Sequence, residues 1–260
     1  MYESLLIAGV VCLSCLAIRS PGWAQTGSAH EPVRYVGGVS IDPVPHDGRL
    51  RPVVGVANYQ TFRANRTHPE RAEGFGWTYN HAPVLAYWND TFYQEYLSNP
   101  VDEHIAPGHT LIVTSRDGRN WAQPVVVFPA YEAPKGVAVP KGYHGYMMHQ
   151  RMGFFVAPDG RLLALAFYGY AEDPFGPGGI GRVVREIYKD GTFGPIYFIR
   201  YASHGKWNEK NTSYPFYTRS TDPGFVAACE AFLSNRLMML QCRDEDPGPK
   251  DFYPVKGDVE

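Results

Sequence analysis

The feature of this sequence that most constrains its fold is an internal repeat of about 70 residues. Three segments share the order of extended run, polar turn, second extended run and Pro, and they begin at Pro83, Gly153 and Gly224. Their turns are Asn-Asp, Asp-Gly and Ser-Asn, residue types that favour tight connections between strands. The repeat therefore predicts a chain built from recurring β-hairpins.

A second hairpin follows each of the first two. The strings are "TLIVTSRDGRNWAQPVVVF" at 110–128 and "RVVREIYKDGTFGPIYFI" at 182–199, and their turn residues Asp117 and Asp190 keep step with the repeat. Two hairpins make a four-stranded antiparallel blade, and blades that recur around an axis make a β-propeller. We predict an all-β propeller of about three to four blades, with residues 50–64 in an earlier blade; an evenly spaced β-sandwich is the alternative.

The two ends of the chain shape the predicted domain organisation. Residues 4–18 form an apolar run followed by small residues up to Ala24, which predicts a secretory signal peptide over 1–24. Residues 25–260 are then the propeller domain, incomplete at its C-terminus because closed propellers have 4–8 blades. The mature chain is expected to be secreted or periplasmic. A net charge of −2 gives no indication of nucleic-acid or membrane binding.

Two cysteines remain after signal cleavage, Cys229 and Cys242. They fall on the two predicted strands of the third hairpin, on either side of its Ser-Asn turn. A cross-strand disulfide and two separate buried thiols are both compatible with this placement. Neither indicates a nucleophilic cysteine.

The most motif-like string is "SRDGRNW" at 115–121. Its Asp117 can accept hydrogen bonds from nearby backbone N–H groups, and its Gly118 can adopt a positive φ. The string resembles the Asp-box of sialidase-like propellers, which lies at the blade periphery, away from the axial pocket. We therefore expect a structural turn here, and we expect chemistry at the opposite ends of the strands.

Three polar clusters lie near the predicted opposite strand ends. They are Tyr79, Asn80 and His81; then Asp102, Glu103, His104 and His109; and finally His144, His149, Arg151, Tyr168, Tyr170, Arg182 and Arg185. His81 and His149 both precede a strand in the repeat, so we expect them at matching positions near the axis. Each residue could instead be structural. The spacing of His81, His104 and His149 does not indicate whether any of them holds a metal. The sequence has no HExxH, CxxC, Walker or GxSxG string.

These clusters favour one kind of carbohydrate chemistry. They combine His, Tyr and Arg but lack the paired carboxylates typical of glycosidases. β-Elimination of a uronic acid requires a cation beside the C5 carboxylate, a base for the C5 proton and an acid for the leaving O4. Arg suits the first task because its guanidinium binds carboxylates through two hydrogen bonds.

Four strings carry a family resemblance: "NHAPVLAYWNDTFYQEYLSNPVDEH", "TSRDGRNWAQPVVVFP", "MMHQRMGFFVAPDGRLLALAFYG" and "GIGRVVREIYKDGTFGPIYFIRY". Over residues 50–245 the chain resembles propeller polysaccharide lyases that cleave rhamnosyl-(1→4)-glucuronate linkages. These are the L-rhamnose-α-1,4-D-glucuronate lyases and the ulvan lyases, and some relatives are described as α-L-rhamnosidases. The resemblance implies a seven-bladed propeller and a uronic-acid-containing polysaccharide or oligosaccharide as substrate.

The resemblance also assigns roles to residues of this chain. The implied catalytic residues are His81, His104, Tyr168 and Arg182, with Arg185 as the alternative arginine. The resemblance also implies an aromatic substrate contact from Tyr214 or Tyr217. From the polar clusters we further expect Asn80, His149, Arg151 and Arg185 to bind the substrate. The proposed chemistry requires no cofactor, and the sequence leaves a structural metal undetermined. The alternatives are a glycoside hydrolase of the α-L-rhamnosidase or sialidase-like type and a non-catalytic glycan-binding propeller fragment.

Overall fold

A computed structural model describes residues 59, 61–62, 64–71, 75–174, 176–202 and 206–241. Apart from Tyr59, these residues belong to one compact unit over Gln60–Glu260. The predicted signal peptide, most of the predicted earlier blade at 50–64, and Cys242 lie outside the described residues. None of the described helices is long and apolar enough to cross a membrane.

The first sheet contains four strands that follow one another in sequence order. They are β1 (Tyr79–Trp88), β2 (Thr91–Asn99), β3 (His109–Ser115) and β4 (Val125–Phe128), each antiparallel to its neighbour. The turn between β1 and β2 is Asn89-Asp90, with φ values of 48° and 55°. Asn and Asp tolerate this left-handed conformation, and a two-residue turn of this hand matches the twist of the strands it joins.

The second sheet repeats the first after a short edge strand. Its strands are β5 (Tyr131–Glu132), β6 (Tyr146–Val156), β7 (Leu162–Tyr170), β8 (Gly179–Ile187) and β9 (Tyr197–Tyr201), in this order across the sheet. We call β1–β4 blade 1 and β6–β9 blade 2. The predicted all-β fold of four-stranded antiparallel blades is confirmed.

The two blades share a bulge as well as a strand order. The pairing of β1 with β2 shifts between His81 and Val84, and that of β6 with β7 shifts between Gln150 and Gly153. Because a bulge changes which way the following side chains point, this common irregularity defines which residues of the two blades are structurally equivalent.

The blades pack against each other through apolar side chains that are fully buried. Leu97, Ile112 and Phe128 of blade 1 join one core cluster with Tyr168 and Phe198 of blade 2. At the boundary, Trp88 Nε1 donates a hydrogen bond of 2.8 Å to the Gly160 carbonyl of the β6–β7 turn. Burial of large apolar side chains between sheets is the main stabilising contribution of such an arrangement.

The predicted third hairpin at 224–247 is wrong. Residues 223–241 instead form helix α1 (Pro223–Leu233) and helix α2 (Arg236–Gln241). Asp222 caps α1 by accepting hydrogen bonds from the backbone N–H groups of Gly224 and Phe225, and Pro223 occupies the first turn, where its missing N–H costs nothing. The buried residues Phe225, Ala228, Cys229 and Phe232 have helical rather than alternating spacing.

This helical segment covers the face of blade 2 that points away from blade 1. Phe225, Cys229 and Phe232 pack in one cluster with Leu163, Leu165 and Val184 of the sheet. Cys229 is a free, buried thiol on α1, so its predicted position on a strand is wrong. Burial raises the pKa of this thiol above its ordinary value, consistent with an unreactive packing role.

Candidate functional site

Three loops meet at one end of the two blades, which we call the loop end. They connect β2 to β3, β5 to β6 and β7 to β8. His104 of the first loop contacts the Ala171 carbonyl of the third through Nδ1 at 2.7 Å. Tyr143 of the second loop donates to Asp173 of the third at 3.4 Å, and His144 pairs with Glu172. The loops of blade 1 and blade 2 therefore form one connected surface.

Asn99, at the end of β2, shapes the first of these loops. Its buried side-chain amide donates hydrogen bonds of 2.8 Å to the Glu103 carbonyl and 3.0 Å to the Ile105 carbonyl. A buried amide that binds two loop carbonyls fixes the path of the chain between them. This anchoring holds Glu103 and His104 beside the start of β1.

His81 and Tyr79, both on β1, converge on the carboxylate of Glu103. His81 Nε2 lies 3.8 Å from Glu103 Oε1, and Tyr79 donates its hydroxyl to Glu103 Oε2 at 3.2 Å. The His81 side chain is 50% exposed, so it is accessible to a ligand. Burial and the nearby Glu103 carboxylate raise the pKa of Tyr79, which keeps this phenol protonated at neutral pH.

His104 is exposed and has one ring nitrogen occupied. Because a carbonyl oxygen can only accept, the Nδ1 that contacts Ala171 must carry the proton. In the neutral imidazole this leaves Nε2 as the basic nitrogen. The contact therefore selects a tautomer suited to taking a proton from a ligand.

Tyr168 lies in the interior, between the blades. Its side chain is fully buried, stacks on Tyr131 with ring centroids 5.0 Å apart, and directs its hydroxyl toward the Pro129 carbonyl at 3.5 Å. Tyr214 extends the stack, with its ring centroid 5.1 Å from that of Tyr131. Burial raises the pKa of Tyr168 well above its usual value. Its strand β7 ends at the loop end, and Ala171, which contacts His104, comes directly after the last residue of that strand.

Arg182 is also buried, at 4% exposure, and lies opposite Phe167 in the sheet. Its guanidinium acts electrostatically on Glu95, a fully buried carboxyl of β2 that sequence reasoning missed. Burial raises the pKa of Glu95 well above its usual value, against the opposite effects of the Gly153 N–H and of Arg182. Neither carboxyl oxygen makes a hydrogen bond of ordinary geometry among the described residues. The only signal in the sequence was a single acidic residue in a strand that also carries neutral polar residues.

Arg185 and Tyr217 have structural partners. Arg185 donates to the backbone carbonyls of Val127 and Gly194 at 2.7 and 2.9 Å and lies over the Phe193 ring. Tyr217 donates to Glu230 of α1 at 2.5 Å and packs in the α1 cluster, rather than in the aromatic stack that contains Tyr214.

His149 does not occupy the position predicted for it. It lies inside β6 and pairs with Tyr168, as Asn80 pairs with Ser98 in blade 1, whereas the residue equivalent to His81 is Gln150. The expected match of His81 with His149 is therefore wrong, because His149 lies one residue before the equivalent position and so on the opposite face of its strand. His149 is fully buried, which lowers its pKa well below the usual value.

The remaining predicted residues are distributed as follows. Asn80 pairs with Ser98 on β2, and neither polar atom of its side chain has a hydrogen-bond partner among the described residues. Arg151 lies within the β6 bulge, and its side chain lies outside the described part of the structure. The structure thus places His81 and His104 together at the accessible loop end, and Tyr168 and Arg182 in the interior. No group of three or more His, Cys, Asp or Glu in the described ranges is arranged to hold a metal ion.

The Asp117 string forms the predicted structural turn at the opposite end of blade 1. Asp117 Oδ1 accepts from the Arg119 and Asn120 N–H groups, each at 2.8 Å. Trp121 packs against the cluster of Tyr96, Leu111 and Val113. The Asn120 and Arg119 N–H groups hold the pKa of the Asp117 carboxyl well below its usual range, so its hydrogen-bonding capacity serves the turn.

Comparisons with known proteins agree with this architecture. The sequence model of the family described as BT_1020-like, N-terminal beta propeller matches residues 31–259. A solved structure named Sialidase is 47% identical and superposes with a TM-score of 0.71, covering 86% of this chain and 22% of that one. The chain thus spans about a fifth of that protein.

Two further comparisons add no structural argument. The crystal structure of xylan β-1,4-xylosidase from Bacillus halodurans C-125 is 17% identical, with a TM-score of 0.32 over 48% of this chain and 21% of that one. A search of curated proteins found no match.

Proposed function

The chain belongs to the BT_1020-like N-terminal β-propeller family, and on that premise we propose that it is part of an exported carbohydrate-active enzyme that cleaves rhamnosyl-(1→4)-glucuronate linkages by β-elimination. The observation that carries this proposal is the loop end, where His81 and His104 come from different elements and lie on connected loops. Two imidazoles at one accessible surface can supply the base and the acid that elimination requires. The proposed reaction uses no cofactor.

His104 is the proposed base. Its Nδ1 is held by the Ala171 carbonyl at 2.7 Å, so its Nε2 is the atom that takes the proton from C5 of the uronate. The electron pair of that C–H bond forms the C4=C5 double bond, and the bond from C4 to the leaving oxygen breaks. A fixed tautomer and ring orientation favour this transfer because the basic nitrogen is already aimed.

His81 is the proposed acid. Its Nε2 lies 3.8 Å from the Glu103 carboxylate, and in the proposed reaction the protonated imidazole donates its proton to the leaving O4. Tyr79, bonded to the same carboxylate, fixes the orientation of Glu103 in this arrangement. After product release, exchange with water removes the proton that His104 gained and returns a proton to His81.

Arg182 and Tyr168 are proposed to complete the uronate site from blade 2. Arg182 is the fourth residue of β8, which begins at the loop end, and Tyr168 lies two residues before the end of β7. The guanidinium would neutralise the substrate carboxylate, and so lower the free energy of the carbanion-like transition state. The high pKa of Tyr168 suits a hydrogen-bond donor.

The product identifies the reaction. The full chain is incubated with an oligosaccharide that contains rhamnose α-1,4-linked to glucuronate, and the ultraviolet absorbance of an unsaturated uronate is followed. We expect His104→Ala, His81→Ala and Arg182→Ala each to lower the rate by about 10²–10⁴-fold. His68→Ala is the matched control and should leave the rate unchanged, because the His68 ring pairs with Glu70 and has no role in the proposed reaction.

A glycoside hydrolase is the second candidate, favoured by the 47% identity to the protein named Sialidase and by the carboxylate of Glu103 beside His81. Release of new reducing ends without absorbance would support this candidate and overturn the lyase. Glycan binding without any bond cleavage would instead support a non-catalytic glycan-binding fragment.

A further inference from the structure

A cleft lies at the opposite end of the blades, which we call the turn end. It has a volume of ≈ 650 Å³ and lies between the turn after β3 and the turn after β8. Arg116, Asp117 and Asn120 of blade 1 line one wall, and Lys189 and Asp190 of blade 2 line the other. A cleft of this size lies within the range that accommodates small organic ligands.

The acidic and basic side chains of this cleft differ in their hydrogen bonding. Asp117 accepts two backbone N–H bonds and a third bond from Asn120 Nδ2, and Asp190 accepts from the Thr192 N–H and hydroxyl. These hydrogen bonds hold the pKa of both carboxyls below the usual value, the Asn120 N–H acting most on Asp117 and the Thr192 hydroxyl most on Asp190. Both acids are therefore directed into their own turns.

The two cations of the cleft have no such internal partner. Among the described residues, neither Arg116 nor Lys189 makes an ion pair or a side-chain hydrogen bond, although both line the cleft. They come from different blades and stand one residue before the aspartates of equivalent turns. The side-chain donors of Arg116 and Lys189 are therefore available to a ligand carboxylate, while the oxygens of Asp117 and Asp190 are engaged in their own turns.

The rest of the lining suits a sugar ring. Tyr93 and Ile112 belong to the core cluster between the blades, and Phe193 is partly buried against that cluster. Thr114 and Gln123 add hydroxyl and amide groups that can bond to sugar hydroxyls. Apolar surface combined with a few polar groups and a charged group is the usual composition of a small-molecule site.

We propose that the turn-end cleft is a second glycan-binding site, in which Arg116 and Lys189 bind the carboxylate of a uronic acid residue. The choice of a uronate rests on the proposed function, since the polysaccharide cleaved at the loop end contains glucuronate. The same polysaccharide would then also be bound in this cleft, remote from the loop end. The cleft takes no part in bond cleavage. Its role is to hold a chain whose further residues are processed at the loop end.

Nuclear magnetic resonance of the full chain tests this site directly. The ligand is a glucuronate-containing tetrasaccharide, compared with the same tetrasaccharide after reduction of its carboxyl groups. We expect the tetrasaccharide to shift the signals of Asn120, Gln123 and Lys189, and its reduced form to bind about tenfold or more weakly, because charge-assisted hydrogen bonds are lost. Arg116→Gln and Lys189→Gln should each weaken the binding by a similar factor.

Lys210→Gln is the matched control, since Lys210 is exposed and does not line the cleft; its binding should equal that of the wild type. The proposal is overturned if the cleft signals do not shift, or if the reduced tetrasaccharide binds equally well. Arg182→Ala separates the two proposals, because it should abolish cleavage and leave the cleft shifts intact. Cleft binding without cleavage by the wild type would contradict the lyase alone, and cleavage without cleft shifts would contradict the cleft alone.

Discussion

Blade 1 and blade 2 have the same strand order, the same bulge and equivalent turns, yet they differ in the side chains at matched positions. Glu95 pairs with the first residue after the bulge in blade 1, and Leu165 pairs with the corresponding residue in blade 2. Both side chains are fully buried. The backbone of a blade therefore accommodates either a carboxyl or an apolar group at this buried position.

The blades also differ in how their faces are covered. All nine residues of β7 are buried, because blade 2 packs against blade 1 on one face and α1 on the other. On β1, in contrast, Leu85 and Tyr87 are 59% and 57% exposed. Similar strands thus contribute unequally to the stability of the described unit.

The largest effect that we predict concerns this unequal burial. Leu165→Ala should reduce the free energy of unfolding by about 2–5 kcal/mol, because it leaves a cavity in a packed cluster. Leu85→Ala, on the exposed strand, should change it by less than about 0.5 kcal/mol. Denaturant unfolding followed by circular dichroism measures both. An equal loss of unfolding free energy in the two variants would show that the exposed face of blade 1 is packed in solution.

The second prediction concerns Glu95. Its pKa is raised in the folded state, so the unfolded chain ionises first, and stability is lost as pH rises from the ordinary value of 4.5. Glu95→Gln should therefore stabilise the protein by about 1–3 kcal/mol at neutral pH and have little effect at acidic pH.

Unfolding measured across this pH range tests the sign of that effect. Glu132→Gln, at an exposed position of β5, is the control and should keep the wild-type profile. If Glu95→Gln instead destabilises the protein at neutral pH, the carboxylate is paired in solution and the comparison with Leu165 fails.

The smallest predicted effect concerns the equivalent turns. Gly118 and Gly191 have φ values of 68° and 86°, a conformation that costs a residue with a Cβ about 1–2 kcal/mol. Gly118→Ala and Gly191→Ala should therefore lower the melting temperature by similar amounts, as measured by calorimetry. Unequal shifts would indicate that the two turns are not structurally equivalent.

The blades were predictable from sequence because turn residues and alternating apolar residues recur at a fixed interval. The helical segment at 223–241 was not, because a Gly-apolar run with a central Ser-Asn also fits a hairpin. The spacing of Phe225, Ala228, Cys229 and Phe232, together with Asp222-Pro223 as a helix start, was the signal that distinguishes the two.

Within the candidate site, the sequence identified residue types better than positions. His104 was predicted from its loop, but its contact with Ala171 depends on packing between the blades. His149 lies one residue from the position equivalent to His81, and a shift of one residue places a side chain on the opposite face of a strand. Glu95 was missed because its strand also carries neutral polar residues, so one acidic residue among them does not by itself indicate a buried carboxyl.

The central claim is that chemistry belongs to the loop end and that the Asp117 turn is scaffold. Turnover of a rhamnosyl-glucuronate oligosaccharide per folded molecule, compared between His104→Ala and Gly118→Ala, tests it most directly. We predict that His104→Ala lowers turnover by about 10²–10⁴-fold while the melting temperature changes little, and that Gly118→Ala lowers the melting temperature while turnover is retained. Turnover retained in His104→Ala and lost in folded Gly118→Ala would contradict the claim.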